Sequence, residues 1–320
     1  MKLRRHFWQK IRLIPLLSLL LAAALVFGGC DARSIDAALD TADALLSEWE
    51  RQQTDTSPAS TQSAIAAQTD GTIEVHFIDV GQADSAFVRC GEETMLIDGG
   101  NVADSSLVVS YLQQQNVETL DYIICTHAHE DHVGGLSGAL NAFSVQHVLC
   151  STTDYDSKAF QNFKKYTQEQ GLSIEVPQPG DQFSLGDALV TILGPVQDYG
   201  ETNNMSIVLR IDFGQTSFLF TGDMESSAER DLVDSGADLS ATLLKVGHHG
   251  SDTSSSYVFL REVMPRYAVI SVGKNNSYGH PGSETLSRLH DVGAEVFRTD
   301  ESGHVIAVSD GQDISITTEK

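Results

Sequence analysis

The sequence predicts an α/β fold in which two β-sheets pack together and are covered by helices. Apolar segments of strand length alternate with amphipathic segments of helical period along most of the chain. Many strands with interspersed helices are typical of two sheets that bury one face against each other and the other face under helices. The 320 residues are enough for one large domain with a substantial core and a short extension.

The predicted elements follow one another closely from residue 73 onwards. In the first half, strands are predicted near residues 73–80, 86–90, 94–97 and 121–125, and helices near 104–115 and from 133. In the second half, strands are predicted near residues 188–193, 206–212, 216–221, 242–246, 267–272, 294–298 and 304–308, and helices near 156–169, 225–234, 254–263 and 283–292.

The N-terminus has the pattern of an export signal. Five basic residues lie between positions 2 and 12, and an apolar stretch over residues 13–27 follows them. The next residues, Gly28-Gly29-Cys30, resemble the lipobox of bacterial lipoproteins, in which the cysteine is lipidated. We therefore expect a lipoprotein-type signal peptide over residues 1–29 and a membrane anchor at Cys30. The alternative is an uncleaved anchor helix. Both interpretations place the remainder at the outer face of the cell membrane.

Residues 30–70 separate this signal from the folded domain. Apolar residues at helical spacing predict a short amphipathic helix over residues 34–53. Residues 54–69 are rich in Ser, Thr, Gln and Ala, a composition that cannot build a core and predicts a flexible tether. We therefore expect one folded domain over residues 71–320.

The charge of the chain limits its partners. The formal net charge is −24 at pH 7 and becomes −29 once the basic signal is removed. Such a field opposes non-specific binding of a polyanion, although bound metal ions would reverse the field locally. The basic residues of the C-terminal part are either ordinary surface charge or a substrate-facing patch; they are Lys245, Arg261, Arg266, Lys274, Arg288 and Arg298.

The cysteines indicate no chemistry of their own. If Cys30 is lipidated, then Cys90, Cys125 and Cys150 remain, an odd number that cannot all pair within the chain. Cys125 and Cys150 each end an apolar, strand-like run. We therefore expect buried free thiols.

A dense group of metal-ligand residues follows the strand predicted at residues 121–125. Residues 126–135 read Thr-His-Ala-His-Glu-Asp-His-Val-Gly-Gly, and they offer His127, His129, Asp131 and His132 as ligands. Neutral imidazoles and a carboxylate suit Zn²⁺ or a similar first-row ion. Four such residues in six positions predict a metal site, and two ions close together need ligands grouped this densely.

Further ligands are expected from distant strands. One predicted strand ends in Asp223 and another in His248-His249, and a third runs into a loop that ends at His280. Ligand-type residues at repeated strand ends predict separate loops that converge on one pocket.

These residues in this order resemble the metallo-β-lactamase superfamily. The pattern is Asp98, His127-x-His129-x-Asp131-His132, Asp223 and His248. Four further segments closely resemble one branch, the hydrolase domain of the DNA-internalisation competence protein ComEC: residues 77–85, 203–206, 248–251 and 278–281. The resemblance covers about residues 72–318 and implies an αββα sandwich with the site at one edge.

The resemblance also implies a ligand set for two divalent ions. His127 and His129 would bind a first ion and Asp131, His132 and His248 a second, with Asp223 shared by both. The ions would be Zn²⁺ or Mn²⁺, with Mg²⁺ as a further option. Asn203-Asn204 departs from the wider superfamily, which usually supplies another histidine ligand in this region.

Roles for neighbouring residues follow from the same resemblance. Asp98 would brace the histidine loop, His280 would donate to a phosphoryl oxygen or to the leaving group, and Asn204 would hold a water or a substrate oxygen or simply cap its loop. Asp131 is both a ligand and a catalytic candidate. The remaining candidates for supporting the ligands or binding substrate are Asp84, His249, Ser251 and Ser277.

The implied chemistry is metal-dependent hydrolysis, in which a hydroxide held between two cations acts as nucleophile at neutral pH. The preferred function is an extracellular phosphodiesterase or nuclease acting on DNA. The alternatives are a phosphodiesterase for a small molecule or wall polymer, a lactam or lactone hydrolase, and a non-catalytic surface binding protein. The sequence contains neither a Gly-x-Ser-x-Gly elbow nor a Walker loop, so we expect no nucleotide cofactor, and we expect a monomer.

Overall fold

Two mixed β-sheets form the centre of the fold in the computed structural model, which describes residues 71–320. Within that range the strands are β1 (Ile73–Phe77), β2 (Ala86–Cys90), β3 (Glu93–Ile97), β4 (Thr119–Cys125), β5 (Ser144–Cys150), β6 (Ile174–Glu175), β7 (Gln182–Leu185), β8 (Ala188–Gly194), β9 (Val208–Phe213), β10 (Thr216–Phe220), β11 (Leu243–Lys245), β12 (Tyr267–Ile270), β13 (Glu295–Arg298), β14 (Val305–Ser309) and β15 (Ile314–Thr318). The first sheet has the order β15-β14-β1-β2-β3-β4-β5-β6 and the second the order β13-β12-β11-β10-β9-β8-β7.

Helices cover the outer face of each sheet. They are α1 (Ser105–Gln114), α2 (Glu130–Val133), α3 (Leu136–Ala142), α4 (Lys158–Glu169), α5 (Ser226–Ser235), α6 (Tyr257–Val263), α7 (Ser283–Asp291) and α8 (Thr299–Ser302). Buried residues of α1, α3 and α4 pack on the first sheet, and those of α5, α6 and α7 pack on the second. Two sheets between two helical layers make an αββα sandwich, which confirms the predicted fold class.

The largest apolar layer lies between the two sheets. Strand β1 sends Ile73, Val75 and Phe77 into it, at alternate positions as a strand requires. Phe77 stacks on Phe220 from the second sheet, with ring centroids 5.8 Å apart. Burying a side chain of this size contributes about 1.5–3 kcal/mol to stability. This layer therefore holds the sheets together and keeps their edges in a fixed relation.

The parallel strands of both sheets deliver their carboxyl ends to the candidate site. Strands β3, β4 and β5 are parallel neighbours in the first sheet, and β10, β11 and β12 are parallel neighbours in the second. Asp98 directly follows β3, His127 follows β4, Asp223 follows β10 and His248 follows β11. Loops at the carboxyl ends of parallel strands are a usual place for ligand sites.

The strands listed from the sequence did not include β5, β6, β7 and β15, and β5 was recognised only as the strand-like run that ends at Cys150. Strand β7 contains one buried residue, and β15 is mostly exposed. Edge strands bury few side chains, so they lack the apolar pattern on which the prediction relied. The three cysteines of the described range are free and buried, as expected.

The predicted features of the N-terminus lie outside the described residues. These are the signal peptide over residues 1–29, the lipidated Cys30, the helix over residues 34–53 and the tether over residues 54–69. Among residues 71–320, none of the helices combines the length and apolar character that a bilayer span requires.

Candidate metal centre

Asp223 lies at the centre of the candidate site and is almost fully buried. Its Oδ1 atom is 3.2 Å from His132 Nε2. Its Oδ2 atom is 3.8 Å from His127 Nε2, 3.7 Å from His248 Nε2 and 3.8 Å from His249 Nε2. Two ligands that each lie about 2.1 Å from one tetrahedral ion are about 3.4 Å apart. The spacing around Asp223 is therefore that of ligands that share cations.

The histidine loop joins β4 to α2 and brings the sequence-predicted ligands together. His127 Nε2 lies 3.0 Å from His129 Nδ1, and the rings of His127 and His132 are 4.1 Å apart. His127 and His132 are fully buried. Burial, then the charge of His132, holds the pKa of His127 well below its ordinary value, so its imidazole is neutral and offers a lone pair.

Asp98 lies behind His132, as predicted for a bracing residue. His132 Nδ1 donates to Asp98 Oδ2 at 2.8 Å, the backbone N–H of Thr126 donates to Asp98 Oδ1 at 2.7 Å, and the Thr126 hydroxyl donates to Oδ2 at 2.7 Å. A proton held on Nδ1 leaves the lone pair on His132 Nε2, which faces Asp223. The carboxylate thereby selects the tautomer that can bind a metal.

Ser206 was not singled out as a site residue in the sequence. Its hydroxyl oxygen accepts from the backbone N–H of Asp223 at 2.9 Å and lies 3.3 Å from His127 Nδ1. Gly222 permits this close approach: its φ is +51°, and a Cβ atom there would lie 2.7 Å from Ser206 Oγ. The available signal was the Asn-Asn-Met-Ser segment, one of the four segments on which the resemblance to the ComEC branch rested.

The structure places His249, and not His248, in the compact set with Asp131 and His132. The set predicted for the second ion was Asp131, His132, His248 and the shared Asp223. In the structure, His249 joins that set instead, with His249 Nε2 3.3 Å from Asp131 Oδ2. One ligand atom from each of Asp131, His132, Asp223 and His249 lies within 4.8 Å of the others. His249, placed among the supporting residues from sequence, is therefore a candidate ligand.

A buried ion pair supports His249 from behind. His249 Nδ1 lies 3.1 Å from the carbonyl oxygen of Ser271 and 3.2 Å from Asp84 Oδ1. Lys245 Nζ donates to Asp84 Oδ2 at 2.7 Å, and both side chains are buried. Lys245 therefore does not face a substrate, the role weighed for it from sequence. The position of Lys245 in an apolar strand could have indicated its burial, and a buried lysine requires a carboxylate or another hydrogen-bond acceptor as partner.

The titration behaviour of the centre follows from its carboxylates. Burial acts to lower the pKa of His249, but Asp223 and then Asp84 raise that pKa to about 10. Burial also acts to lower the pKa of His132, but the charges of Asp223 and Asp98 outweigh it. The pKa of His132 is therefore well above its ordinary value. Metal binding must therefore compete with protons at these two imidazoles.

Several buried atoms of the centre find no hydrogen-bond partner within residues 71–320. His132 Nε2, Asp223 Oδ1 and His249 Nε2 are among them. A buried polar atom without a partner costs about 1–3 kcal/mol. Imidazole nitrogens and a carboxylate oxygen that face one another are the donor set of a divalent transition metal. The residues present therefore fit a metal centre with two ions.

Asn204 makes the contacts of a residue that caps its loop, one of the two roles considered for it from the sequence. Its Oδ1 atom accepts from the backbone N–H of Glu225 at 2.9 Å, and its Nδ2 donates to the Ser227 hydroxyl at 3.3 Å. Both polar ends of the amide are thus engaged at the start of α5. The structure favours the alternative that Asn204 holds a loop, and we do not retain it as a residue that binds water or substrate.

His280 lies beside the centre on a fixed loop. Its ring centroid is 5.7 Å from that of His248, and its buried Nδ1 atom has no partner. Asn276 holds the loop: the backbone N–H of His280 donates to Asn276 Oδ1 at 3.1 Å, and Asn276 Nδ2 donates to the His280 carbonyl oxygen at 2.6 Å. Burial, and then His248, lowers the pKa of His280.

The two serines proposed from the sequence differ in position. Ser251 is buried, and its backbone N–H donates to the carbonyl oxygen of His248 at 2.8 Å. Ser251 Oγ lies 3.0 Å from Thr253 Oγ1, so this serine shapes the turn that carries the histidine pair. Ser277 is exposed in the loop before His280.

Comparisons with known proteins agree with this geometry. The family model described as "Metallo-beta-lactamase superfamily" matches residues 78–274. The chain is 32% identical over 251 residues to ComE operon protein 3 of Bacillus subtilis, which covers 72% of this chain and 32% of that protein. It is 33% identical over 227 residues to competence protein ComA of Neisseria gonorrhoeae, which covers 70% of this chain and 30% of that protein. The chain thus spans about a third of the length of these relatives.

A solved structure shows the same fold. The metallo-β-lactamase fold protein YhfI from Bacillus subtilis superposes with a TM-score of 0.50 at 15% identity, which covers 78% of this chain and all of that chain. At this identity the likeness concerns the fold alone. The family model, together with the arrangement of histidines and aspartates at the sheet edge, identifies the chain as a member of the metallo-β-lactamase superfamily with relatives among competence proteins.

Proposed function

We propose that the protein is a metal-dependent phosphodiesterase that cleaves DNA outside the cytoplasmic membrane. The observation that carries the proposal is the grouping of imidazoles around the two oxygens of Asp223. Two divalent ions, Mn²⁺ or Zn²⁺ with Mg²⁺ as a further option, would supply a nucleophile from water at neutral pH and stabilise charge on phosphoryl oxygens. The competence-protein relatives supply the choice of DNA as substrate.

The chain's own residues would share the work as follows. Asp223 would bind both ions, because its two oxygens face different imidazoles. Asp98 holds His132 in the tautomer that can bind. Asp131 lies at the more exposed side of the centre, so its carboxylate would meet both an ion and the entering substrate. His280 would donate a hydrogen bond to a phosphoryl oxygen from the loop beside His248.

The charge of the surface favours a second candidate, a phosphodiesterase for a small molecule. A cleft of about 310 Å³ begins at Ala128 in the histidine loop and is lined by Asp154, Asp198 and Glu201. Three of the basic residues weighed as a substrate-facing patch are paired with carboxylates: Arg266 with Asp313, Arg288 with Glu284 and Arg298 with Asp300. A long polyanion gains little attraction from such a surface.

The experiment is a substrate panel with the full chain in Mn²⁺, Zn²⁺ or Mg²⁺. The substrates are single- and double-stranded DNA, bis-p-nitrophenyl phosphate, nitrocefin and an acyl lactone, and the inactive controls are His129→Ala and Asp223→Ala. We expect DNA cleavage that both substitutions abolish. Turnover of the chromogenic diester with DNA left intact would select the small-substrate candidate. Turnover of nitrocefin or the lactone without the diester would show a lactam or lactone hydrolase.

The location proposed for this activity is the outer face of the membrane, through a lipid on Cys30, with the chain as a monomer. Labelling with a fatty-acid analogue, together with the intact mass of the membrane-bound chain, tests the anchor. We expect wild type to carry the lipid and to lack residues 1–29, and Cys30→Ala to carry no lipid. A wild-type chain that carries no lipid and retains residues 1–29 would show the uncleaved anchor helix instead.

A further inference from the structure

We propose that the His248-His249 pair is divided between the two ions, with His248 completing the set of the first and His249 that of the second. This inference rests on the proposed function only in assuming that two ions bind. It assigns His248 to the set formed by His127, His129 and Asp223, which otherwise has three protein ligands. The sequence-based interpretation placed His248 with Asp131 and His132.

The backbone of the pair explains how neighbouring residues can serve two sets. His248 has φ 50° and ψ 47°, and His249 has φ 52° and ψ 25°. Both values lie in the left-handed region, which residues with a Cβ atom rarely adopt, and backbone of this kind concentrates at functional sites. The two rings are inclined at 62° with centroids 6.2 Å apart. Their Nε2 atoms nevertheless both face Asp223 Oδ2, at 3.7 and 3.8 Å.

The contacts of the two rings separate their roles. His249 Nε2 lies 3.3 Å from Asp131 Oδ2, and His249 falls within the compact set with His132. Among residues 71–320, His248 belongs to none of the compact sets of ligand atoms, and neither do His127 and His129. His249 occupies the place beside Asp131, whereas the Nε2 atoms of His248 and His127 both lie within 3.8 Å of Asp223 Oδ2, so we assign His248 to the set of His127.

Glu225 prepares His248 for this role. His248 Nδ1 lies 3.3 Å from Glu225 Oε1, so a proton held there leaves the lone pair on Nε2. The Thr253 hydroxyl also donates to Glu225 Oε1, at 3.1 Å. Asp98 and His132 form the same carboxylate–imidazole arrangement on the opposite side of Asp223. Each side of the shared aspartate thus has an imidazole whose tautomer is set by a carboxylate.

The asparagine pair holds this carboxylate in place. Asn204 Oδ1 accepts from the backbone N–H of Glu225 at 2.9 Å, and Asn203 Nδ2 donates to Glu225 Oε1 at 3.5 Å. Asn203 and Asn204 therefore act through Glu225 as positioning residues. The segment that offers no histidine of its own orients the histidine that completes the first set.

The test is a count of bound metal in paired variants of the full chain. Co²⁺ titrations followed by absorption, together with metal analysis after dialysis, give the number of ions and their affinities. His248→Gly removes the imidazole at a backbone position that glycine adopts freely. His129→Ala is the reference loss for the first set and Asp131→Ala for the second. His290→Ala is the matched control, since the His290 side chain is 90% exposed on α7.

We expect the wild type and His290→Ala to bind two ions and His248→Gly to bind one. The double variant His248→Gly/His129→Ala should still bind one ion, whereas the double variant His248→Gly/Asp131→Ala should bind none. Glu225→Gln should weaken the first site alone, by about 10–100-fold. Circular dichroism checks that each variant is folded, and His248→Asn replaces His248→Gly if the latter unfolds, because asparagine tolerates this backbone.

The opposite pattern overturns the division. His248 belongs to the second set if the double variant His248→Gly/His129→Ala binds no ion and the double variant His248→Gly/Asp131→Ala still binds one. Retention of both ions by His248→Gly, or a wild type that binds fewer than two, also overturns it. If the expected pattern is found but no phosphodiester is cleaved, the division of ligands is supported and the phosphodiesterase proposal alone fails.

Discussion

The buried pair of Lys245 and Asp84 tests how the centre is held from behind. Lys245 Nζ lies 2.7 Å from Asp84 Oδ2 and donates to the carbonyl oxygen of Val246 at 3.0 Å. Lys245→Met keeps an unbranched side chain but removes the ammonium group from Asp84, which retains His249 beside it. Removal of one partner from a buried ion pair costs about 3–5 kcal/mol. We expect Lys245→Met to lower the free energy of unfolding by about 3 kcal/mol at pH 7, because His249 still faces the carboxylate.

The loss should depend on pH in a defined way. In the wild type, burial acts to raise the pKa of Asp84, but Lys245 and then His249 hold it well below its ordinary value of 3.8. A depressed pKa in the folded state stabilises the protein above the unfolded value, and the gain is lost as pH falls through the folded value. In Lys245→Met the pKa of Asp84 rises. The difference in stability between wild type and variant should therefore be largest near neutral pH and narrow as Asp84 of the variant becomes protonated.

The assay is urea unfolding of the metal-free chain followed by far-UV circular dichroism. Fluorescence does not serve, because both tryptophans, Trp8 and Trp49, precede residue 71. Lys165→Met is the matched control: Lys165 is 61% exposed on α4 and lies 3.5 Å from Glu169. An exposed pair of this kind contributes less than about 1 kcal/mol. If Lys245→Met loses no more stability than this control, the pair does not support the centre as described.

Three further predictions concern the metal. Asp98→Asn should keep the fold but weaken metal binding by about 10–100-fold, because it replaces the carboxylate that sets the His132 tautomer. Co²⁺ titration measures the affinity, and an unchanged affinity would contradict the bracing role of Asp98. Metal binding at pH 7 should release protons, because the raised pKa values of His132 and His249 leave both imidazoles protonated in the metal-free chain. Metal affinity should therefore increase with pH. Calorimetry in buffers of different ionisation enthalpy measures the proton release, and its absence would contradict these pKa directions. Metal removal by a chelator should lower the melting temperature reversibly, because His132 Nε2, Asp223 Oδ1 and His249 Nε2 lose their partner; a melting temperature indifferent to the chelator would show that they do not share an ion.

Much of the fold could be predicted because the buried strands carry continuous apolar runs. Strand β10 has five buried residues in succession, and the sequence reads directly as a strand that ends near Asp223. Strands β7 and β15 bury little and were missed for that reason. The grouping of the candidate ligands could be predicted because each follows a buried strand, and the shared edge of the sheets brings them together. Which side-chain atoms face one another depends on rotamers and loop geometry, which periodicity does not describe.

Lys245 and Asn204 are two residues whose contacts could not be predicted from the sequence. Lysine is usually a surface residue, so Lys245 was weighed for the surface or the substrate, yet it is buried against a carboxylate 161 positions earlier in the chain. Asn204 lies in a motif and was therefore predicted to bind water or substrate. Its amide instead forms hydrogen bonds with Glu225 and Ser227 at the start of α5. In both cases the partner is distant in sequence or is a backbone group, and residue type alone identifies neither.

The histidine pair shows a further limit, because its assignment depends on the backbone. On a strand, neighbouring side chains point to opposite faces, and in a right-handed helix they diverge by about 100°. Either conformation would direct one imidazole of the pair away from Asp223. The left-handed turn at His248 and His249 brings both Nε2 atoms within 3.8 Å of Asp223 Oδ2, while their Nδ1 atoms reach carboxylates on different elements, Glu225 and Asp84. Two adjacent histidines therefore face the same carboxylate only because the neighbouring glycines and serine allow this turn. The order of residues alone does not predict that geometry.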